Sequence, residues 1–184
     1  FLIDVDVPDV NRFISVSDAS VISCMMMVNE KGLAGSADVG GLKIDKPRCR
    51  GWMNTALLRH VAERADVCEQ ALAIVREFVE KGWYAGGGAV GTHWLFVDAK
   101  SRILEISNNS SQLTHHWHDE EKVYFSAARG RAVERLRDAR PPVDFATFHN
   151  VSRDPAMCFP SSVSGMSVRI DREHPDVLTQ AWIS

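Results

Sequence analysis

The sequence has 184 residues, of which 45% are hydrophobic and 24% charged, and its formal net charge is −3 at pH 7. These proportions are typical of a globular domain, and they exclude a disordered chain, a collagen-like repeat and a coiled coil. Since the small negative charge creates no large positive field, neither nucleic acid nor a membrane is expected as a partner. The length predicts a single domain over residues 1–184.

The two ends of the sequence predict a chain that is cut within ordered structure. The start, Phe1 to Asp6, has no initiator Met, basic region or cleavage site, and the end, Gln180 to Ser184, has no tail character. No apolar run approaches the roughly 20 residues of a membrane-spanning helix. The four cysteines follow no CxxC spacing and predict reduced thiols, so a cytoplasmic location is expected.

The first forty residues predict strands. Residues 12–16 alternate between apolar and polar, and residues 20–28 form an apolar run rich in Val, Ile and Met. The turn from Asn29 to Gly32 separates this run from a strand at 33–37. A hairpin is therefore expected, with Gly32 supplying the backbone conformation that the turn needs.

Residues 50–82 predict two helices. The first has an apolar face at helical spacing, made of Met53, Leu57, Leu58, Val61 and Ala62. The second is expected to begin at Asp66, with Glu69 completing a capping box, and to end before Gly82. Its apolar stripe comprises Ala71, Leu72, Val75, Phe78 and Val79.

The remainder of the chain returns to strands and short helices. Strands are predicted at 93–97, 102–106, 113–117, 122–125, 164–170 and 177–181, and short helices at 127–137 and 143–149. Because strands and helices come in blocks rather than in strict alternation, the pattern predicts the α+β class with antiparallel sheets.

Two motifs are interpreted without a cofactor or a metal. Residues 86–91 match GxGxxG, but they follow a predicted helix and precede a strand, which is the reverse of a dinucleotide-binding context. Three histidines lie close together, with His116 and His118 expected on one face of a strand and His115 on the other. They are interpreted as polar strand-end surface rather than a zinc site.

The cysteines are interpreted as packing residues. Cys24 lies in the apolar run at 20–28, and Cys158 lies between Met157 and Phe159. Cys68 falls in the first turn of a predicted helix, where the dipole favours a thiolate, but no His lies near it in the sequence. A hydrolase that uses Cys158 or Cys68 is kept as a third hypothesis.

Four stretches together resemble the N-terminal-nucleophile hydrolases, most closely the choloylglycine hydrolase and isopenicillin-N (penicillin) acyltransferase group. The stretch Met27-Val28-Asn29-Glu30-Lys31-Gly32-Leu33-Ala34 resembles a strand-turn-strand motif of this group. Residues 56–71 resemble its paired helices, residues 92–106 a strand pair, and residues 152–164 a late segment. The resemblance spans about residues 10 to 175, in the family's order and spacing.

This resemblance implies an αββα sandwich, with two antiparallel sheets between helix layers, which is incomplete here. It implies cleavage of a linear amide C–N bond, or acyl transfer, on a small amide or peptide-like substrate. In the family a cysteine that becomes the first residue attacks the carbonyl, and its free α-amino group serves as the base. No cofactor or metal is needed for this chemistry.

The sequence departs from the family pattern at the site. Residue 1 is Phe, so the nucleophile is expected on a strand upstream of Phe1 that this chain lacks. Ser126 takes the place of the family's oxyanion-stabilising Asn, and Gly165 stands where choloylglycine hydrolases carry Arg, so bile-salt specificity is not expected. Asp38, His93 and Ser126 are expected to line the substrate pocket, and Arg129 is expected to hold a carboxylate.

Two explanations of this departure stay open. The favoured one is an incomplete copy of a working amidase or acyltransferase, which is inactive as it stands. The alternative is a natural, shortened homologue that acts as a binding or assembly module. Its exposed strand edges would then invite a partner, and a second copy of the chain is kept open as that partner.

Overall fold

The computed structural model describes residues 1–18, 22–43, 51–86, 90–118, 144–155 and 165–183. The strands are β1 (Leu2–Val5), β2 (Phe13–Val16), β3 (Met26–Asn29), β4 (Ala34–Lys43), β5 (Trp52–Met53), β6 (Tyr84–Gly86), β7 (Val90–Val97), β8 (Ile103–Asn108), β9 (Leu113–Trp117), β10 (Met166–Arg169) and β11 (Gln180–Ile183). The helices are α1 (Asn54–Arg64), α2 (Cys68–Glu80), α3 (Phe145–Ser152) and α4 (Pro175–Leu178).

The chain divides into two compact units. The first comprises Phe1–Asp119 with Val168–Gln180, and the second comprises Glu120–Ser167 with Ala181–Ser184. The expectation of a single domain over the whole chain stays a prediction.

A seven-stranded sheet dominates the first unit. Its strand order is β1-β2-β3-β4-β7-β8-β9, and each neighbouring pair is antiparallel. Strands β5 and β6 pair in parallel as a separate two-stranded sheet, and β10 pairs with β11 in another. The predicted α+β class is therefore confirmed, and the main sheet is antiparallel, as expected.

Helices α1 and α2 pack on one face of this sheet and enclose its core. The predicted apolar faces of both helices are buried, with one exception: Met53, which precedes α1 in β5, is 57% exposed. The sheet contributes alternate residues to the core, among them Met27, Trp94, Phe96, Leu104 and Ile106. Full burial of one such side chain is worth about 1.5–3 kcal/mol, so this layer is a major source of stabilisation.

Asn29 ties the β3–β4 hairpin to the end of α1. Its side-chain amide donates to the carbonyl oxygens of Ala62 at 3.0 Å and Ala65 at 2.7 Å. Its Oδ1 accepts from the backbone N–H groups of Lys31 and Leu33. The predicted turn is confirmed, and Gly32 adopts a φ of +77°, in the left-handed region that favours glycine. The Asn of this motif is therefore a structural residue.

The N-terminal cap of α2 differs from the predicted capping box. The N-cap residue is Val67, which has no side-chain cap, and Asp66 instead accepts from the Asn11 amide. The buried carboxylate of Asp98 accepts from the backbone N–H of Cys68 at 3.0 Å, from 30 residues away in sequence. The capping-box prediction is thus wrong, because a tertiary acceptor satisfies the first turn of the helix.

The C-terminal end of α2 matches its prediction. Gly82 has a φ of +67°, its N–H donates to the Val79 carbonyl, and the N–H of Trp83 donates to the Phe78 carbonyl. This pair of bonds is a Schellman motif, which satisfies carbonyl groups that the helix itself leaves without partners.

Two predicted strands are wrong in part. The strand predicted over 20–28 begins only at Met26, because the N–H of Cys24 donates to the Thr55 carbonyl rather than to a neighbouring strand. The strand predicted over 177–181 is replaced by α4, which starts at Pro175, and by β11. Proline is favoured in the first helical turn because its missing N–H leaves no helical bond unmade there.

The described part of the second unit contains α3, close to the helix predicted over 143–149. Its N-cap residue, Asp144, accepts from the Thr147 N–H at 2.7 Å, and this bond lowers the pKa of the Asp144 carboxyl. The ring of Phe145 lies 4.1 Å from that of Trp182 and 5.6 Å from that of His149. The predicted strand at 122–125 and helix at 127–137 lie outside the described residues.

Candidate binding site on the large sheet

The large sheet has a second face, opposite the one covered by α1 and α2. Side chains alternate between the two faces of a strand, so Trp94 and Phe96 point to the helices while His93 and Leu95 point to the second face. In the same way, Glu105 and Ser107 alternate with the buried Leu104 and Ile106 of β8. The second face therefore combines apolar residues with titratable ones.

Two of the predicted site residues lie side by side on this face. Asp38 of β4 is the direct register partner of His93 of β7. His93 is in turn opposite Ser107 of β8, and Ser107 is opposite Thr114 of β9. These four residues, here called the polar row, cross four neighbouring strands, with Cβ atoms of directly opposite residues about 4.5–5.5 Å apart.

Glu105 holds two histidines with its two carboxylate oxygens. Its Oε1 lies 2.5 Å from His93 Nε2, and its Oε2 lies 3.0 Å from His118 Nε2. Since an ionised carboxylate only accepts, each imidazole carries its proton on Nε2 when neutral. The three side chains are largely enclosed, with exposures of 18% for His93, 24% for Glu105 and 7% for His118.

The histidines at the end of β9 lie on the two faces of the sheet as the alternation predicts, with His116 and His118 on one face and His115 on the other. Their interpretation as strand-end surface is wrong for His118. The rings of His116 and His118 lie 4.4 Å apart, edge to face, whereas His115 pairs in register with Ile106, which faces the helices. His118 is buried because it reaches Glu105. Among the residues that the structure describes, no group of three or more His, Cys, Asp or Glu side chains is arranged to hold a metal ion.

Asp38 stands at an irregularity of β4. Its side chain is exposed, and its Oδ1 accepts from the backbone N–H of Val39 at 2.8 Å. The register with β7 shifts between Val39 and Lys43, as in a β-bulge. Gly41 lies within this irregularity with a φ of +72°, and a Cβ there would meet the Thr92 carbonyl oxygen at 2.5 Å. The absence of a side chain at Gly41 thus lets the backbone of β4 approach β7 closely at this irregularity.

A buried polar network supports the sheet behind the polar row. The hydroxyl of Tyr84 bonds to Thr92 Oγ1, and the indole N–H of Trp94 donates to Asn108 Oδ1 at 2.5 Å. Burial raises the pKa of Tyr84 to about 12, so its hydroxyl stays protonated at neutral pH. These bonds fix β7 and β8 on the helix side, directly beneath His93.

Neither of the described cysteines is suited to act as a nucleophile. Burial raises the pKa of Cys24 to about 11. Burial and the neighbouring Asp98 carboxylate raise the pKa of Cys68 well above that of a free thiol. A thiolate is the reactive form, so both residues are inert near neutral pH. Cys158 lies outside the described residues.

The remaining predictions have different outcomes. Ser126 and Arg129 lie outside the described residues, and the pocket roles of Asp38 and His93 stay predictions, although the structure places these two side by side. Sequence reasoning missed Glu105, whose only signal was its outward position between Leu104 and Ile106. The GxGxxG stretch follows strand β6 rather than the predicted helix, so that part of the prediction is wrong, because a short strand comes between the end of α2 and the glycines. The expectation that a strand follows is confirmed, since β7 begins at Val90 and no helix opens there.

A shallow cavity of about 450 Å³ lies elsewhere in the first unit and is lined by Gly51, Trp52, Gly82 and Trp83. The Phe78 ring contacts both tryptophan rings edge to face, at 5.1 and 5.6 Å. This arrangement follows from the end of α2 and its Schellman turn.

In the described part of the chain, no helix is long and apolar enough to cross a membrane.

The comparisons with known proteins give matches of structure alone. No family model matches the sequence, and no curated protein does. The N-acylethanolamine-hydrolyzing acid amidase ortholog of Caenorhabditis elegans is 11% identical, with a TM-score of 0.60 over 100% of this chain and 86% of that one. Penicillin V acylase from Agrobacterium tumefaciens is 14% identical, with a TM-score of 0.57 over 88% of this chain and 63% of that one.

A variant of conjugated bile acid hydrolase from Clostridium perfringens also matches, at 12% identity and a TM-score of 0.41, with 59% of this chain covered. The chain spans only 36% of the length of that hydrolase.

The acid amidase and the acylase belong to the N-terminal-nucleophile hydrolases, and the chain has their fold, as the sequence resemblance predicted.

Proposed function

We propose that the full-length protein is a linear-amide hydrolase or acyltransferase of the N-terminal-nucleophile type, and that this chain is part of its catalytic body. The observation that carries the proposal is the shared fold over 88–100% of the chain with two enzymes named as an acylase and an amidase. The adjacent positions of Asp38 and His93 support it, since both residues are expected to line the substrate pocket.

The nucleophile in this proposal is a cysteine that precedes Phe1 in the full-length protein. The raised thiol pKa values of Cys24 and Cys68 support this assignment, because neither thiol is available for attack. Phe1 itself has no nucleophilic side chain. We therefore expect the 184-residue chain alone to show no amidase activity.

The reaction proceeds in two steps. The cysteine thiol gives its proton to the free α-amino group, the sulfur attacks the amide carbonyl carbon, and the C–N bond breaks as the amine leaves with that proton. Water or a second amine then attacks the thioester, and the thiol is regenerated. Ser126 stays a prediction as the oxyanion donor, and Arg129 as the residue that holds a substrate carboxylate.

The test is to produce the protein from its complete coding sequence and to assay it on a panel of linear amides that includes N-acyl amino acids, N-acyl amino alcohols and phenylacetyl amides. The proposal predicts hydrolysis that a thiol-directed reagent abolishes, and that exchange of the N-terminal cysteine for alanine abolishes without loss of folding. Hydrolysis that survives both treatments, or its absence from a folded product with a free N-terminal cysteine, would refute it.

A second candidate function is a non-catalytic assembly module. Strand β1 lies at the edge of the large sheet, and Phe1 and Leu2 are 77% and 61% exposed. An exposed apolar edge strand is a template for pairing with another chain. This function predicts a tight dimer in sedimentation analysis and no thiol-dependent hydrolysis by the complete protein.

A further inference from the structure

The carboxylate of Glu105 connects imidazole rings from two neighbouring parts of the large sheet. Its Oε1 lies 2.5 Å from Nε2 of His93, on β7, and its Oε2 lies 3.0 Å from Nε2 of His118, which directly follows β9. The backbone N–H of His118 also donates to the Ile103 carbonyl of β8 at 2.9 Å. The Glu105 carboxylate is thereby held from both sides by residues that the sheet itself positions.

His93 is the more accessible of the two histidines. Its side chain is partly exposed whereas His118 is buried, and His93 lies beside the exposed residue Asp38. The contact between His93 and Glu105 is a hydrogen bond whether its proton lies on Nε2 or on the carboxyl oxygen. The bond occupies Nε2 and leaves Nδ1 as the ring nitrogen that can meet a ligand.

We propose that Glu105 is a positioning residue of the substrate pocket, which acts by fixing the His93 ring. This assignment rests on the proposed function, in which His93 lines the pocket for the amide substrate. An imidazole that rotates freely must be ordered when the substrate binds, and this ordering lowers the affinity. Glu105 orders the ring before the substrate arrives, so that His93 presents its remaining nitrogen from a fixed place.

Two substitutions separate this role from simple packing. Glu105→Met has a similar length and removes the hydrogen bonds to both imidazoles. Glu105→Gln keeps the shape of the side chain but has one acceptor oxygen and one NH2 donor in place of two equivalent oxygens. Glu105→Gln can therefore hold one ring as the carboxylate does, while the other ring must lose its bond or change its tautomer.

The test is steady-state kinetics of the complete protein with its free N-terminal cysteine. Glu105→Met should raise KM about three- to tenfold, the usual effect of one lost hydrogen bond. It should leave kcat within about twofold, because an interaction made equally in the ground and transition states affects KM alone. Glu105→Gln should raise KM by a smaller factor, and it replaces Glu105→Met in the test if that variant does not fold.

A double-mutant cycle shows whether Glu105 acts through His93. His93→Leu should raise KM at least as much as Glu105→Met, and the two changes together should raise it no further than His93→Leu alone. The matched control is Glu80→Met, at an exposed position of α2, which should leave KM unchanged.

Additive effects of Glu105→Met and His93→Leu, or equal changes of KM in Glu105→Met and Glu80→Met, would overturn the positioning role while the amidase stays active. A folded, complete protein that cleaves no amide would instead refute the proposed function, and the positioning role with it.

Discussion

Replacement of Asn29 by Asp tests the structural role assigned to the most recognisable motif of the sequence. The two side chains have the same shape, so the bonds that Oδ1 accepts from Lys31 and Leu33 persist. The amide that donates to the carbonyls of Ala62 and Ala65 becomes a carboxylate oxygen, which cannot donate when ionised. The change therefore affects one contact, between the hairpin and the end of α1.

The magnitude follows from the partners. The Ala65 carbonyl keeps a second donor, the Asn11 amide at 3.2 Å. Loss of its bond to Asn29 therefore lowers the free energy of unfolding by about 1 kcal/mol, the usual net contribution of one hydrogen bond. The Ala62 carbonyl loses the donor that Asn29 supplied, and a buried group left without one costs about 1–3 kcal/mol. Asn29→Asp should thus lower the free energy of unfolding by about 2–4 kcal/mol at pH 7.

Urea denaturation at pH 7 and pH 4 measures this effect against the unchanged chain at each pH. The two carbonyl oxygens disfavour the charged form of Asp at position 29, which raises its pKa in the folded state. A carboxyl group whose pKa is higher in the folded than in the unfolded chain lowers the free energy of unfolding as pH rises. The loss of stability in Asn29→Asp should therefore be smaller at pH 4 than at pH 7. The exposed Asn150→Asp variant should change the stability by less than about 0.5 kcal/mol.

Equal effects of Asn29→Asp and Asn150→Asp on the free energy of unfolding would refute the structural role assigned to Asn29. A loss at position 29 that grew as pH fell would contradict the assignment of its amide as the donor.

Three further predictions concern the elements around the core. Asp98→Ala removes the acceptor of the Cys68, Lys100 and Arg102 N–H groups and should cost about 2–4 kcal/mol in urea denaturation, whereas Asp6→Ala should be near neutral. Gly82→Ala should lower the stability by about 1–2 kcal/mol in the same measurement, because residue 82 has a φ of +67°, and an unchanged midpoint would argue against the Schellman turn. The raised thiol pKa values of Cys24 and Cys68 predict that maleimide labels either residue at pH 7.5 only in the presence of denaturant, as measured by peptide mapping with mass spectrometry. Rapid labelling of either residue in the folded chain would contradict their burial.

The sequence predicted those parts of the fold whose signals are local. The stripe of Ala71, Leu72 and Val75 identified α2 because helical periodicity is written in neighbouring residues. Gly82 marked the end of that helix for the same reason. The start of α2 was mispredicted because its cap, Asp98, comes from the β7–β8 turn, and no local pattern encodes an acceptor 30 residues away.

The residues of the candidate site likewise differ in how far the sequence could predict them. Asp38 and His93 were chosen by family resemblance, yet only the antiparallel register of β4 and β7 makes them neighbours. Glu105 was missed, and His118 was interpreted as surface, because a polar residue that alternates with apolar ones usually lies on a solvated strand face. Their link is a tertiary contact, since β8 and the end of β9 must pair before one carboxylate can hold two imidazoles.

The most direct measurement of the central claim is the N-terminal residue of the mature natural protein, determined by N-terminal sequencing together with the intact mass. The account predicts a mature chain that begins with cysteine and continues into the sequence at Phe1, and that loses its amidase activity when this cysteine is alkylated. A mature protein that contains these 184 residues but begins with a residue without a nucleophilic side chain would contradict it.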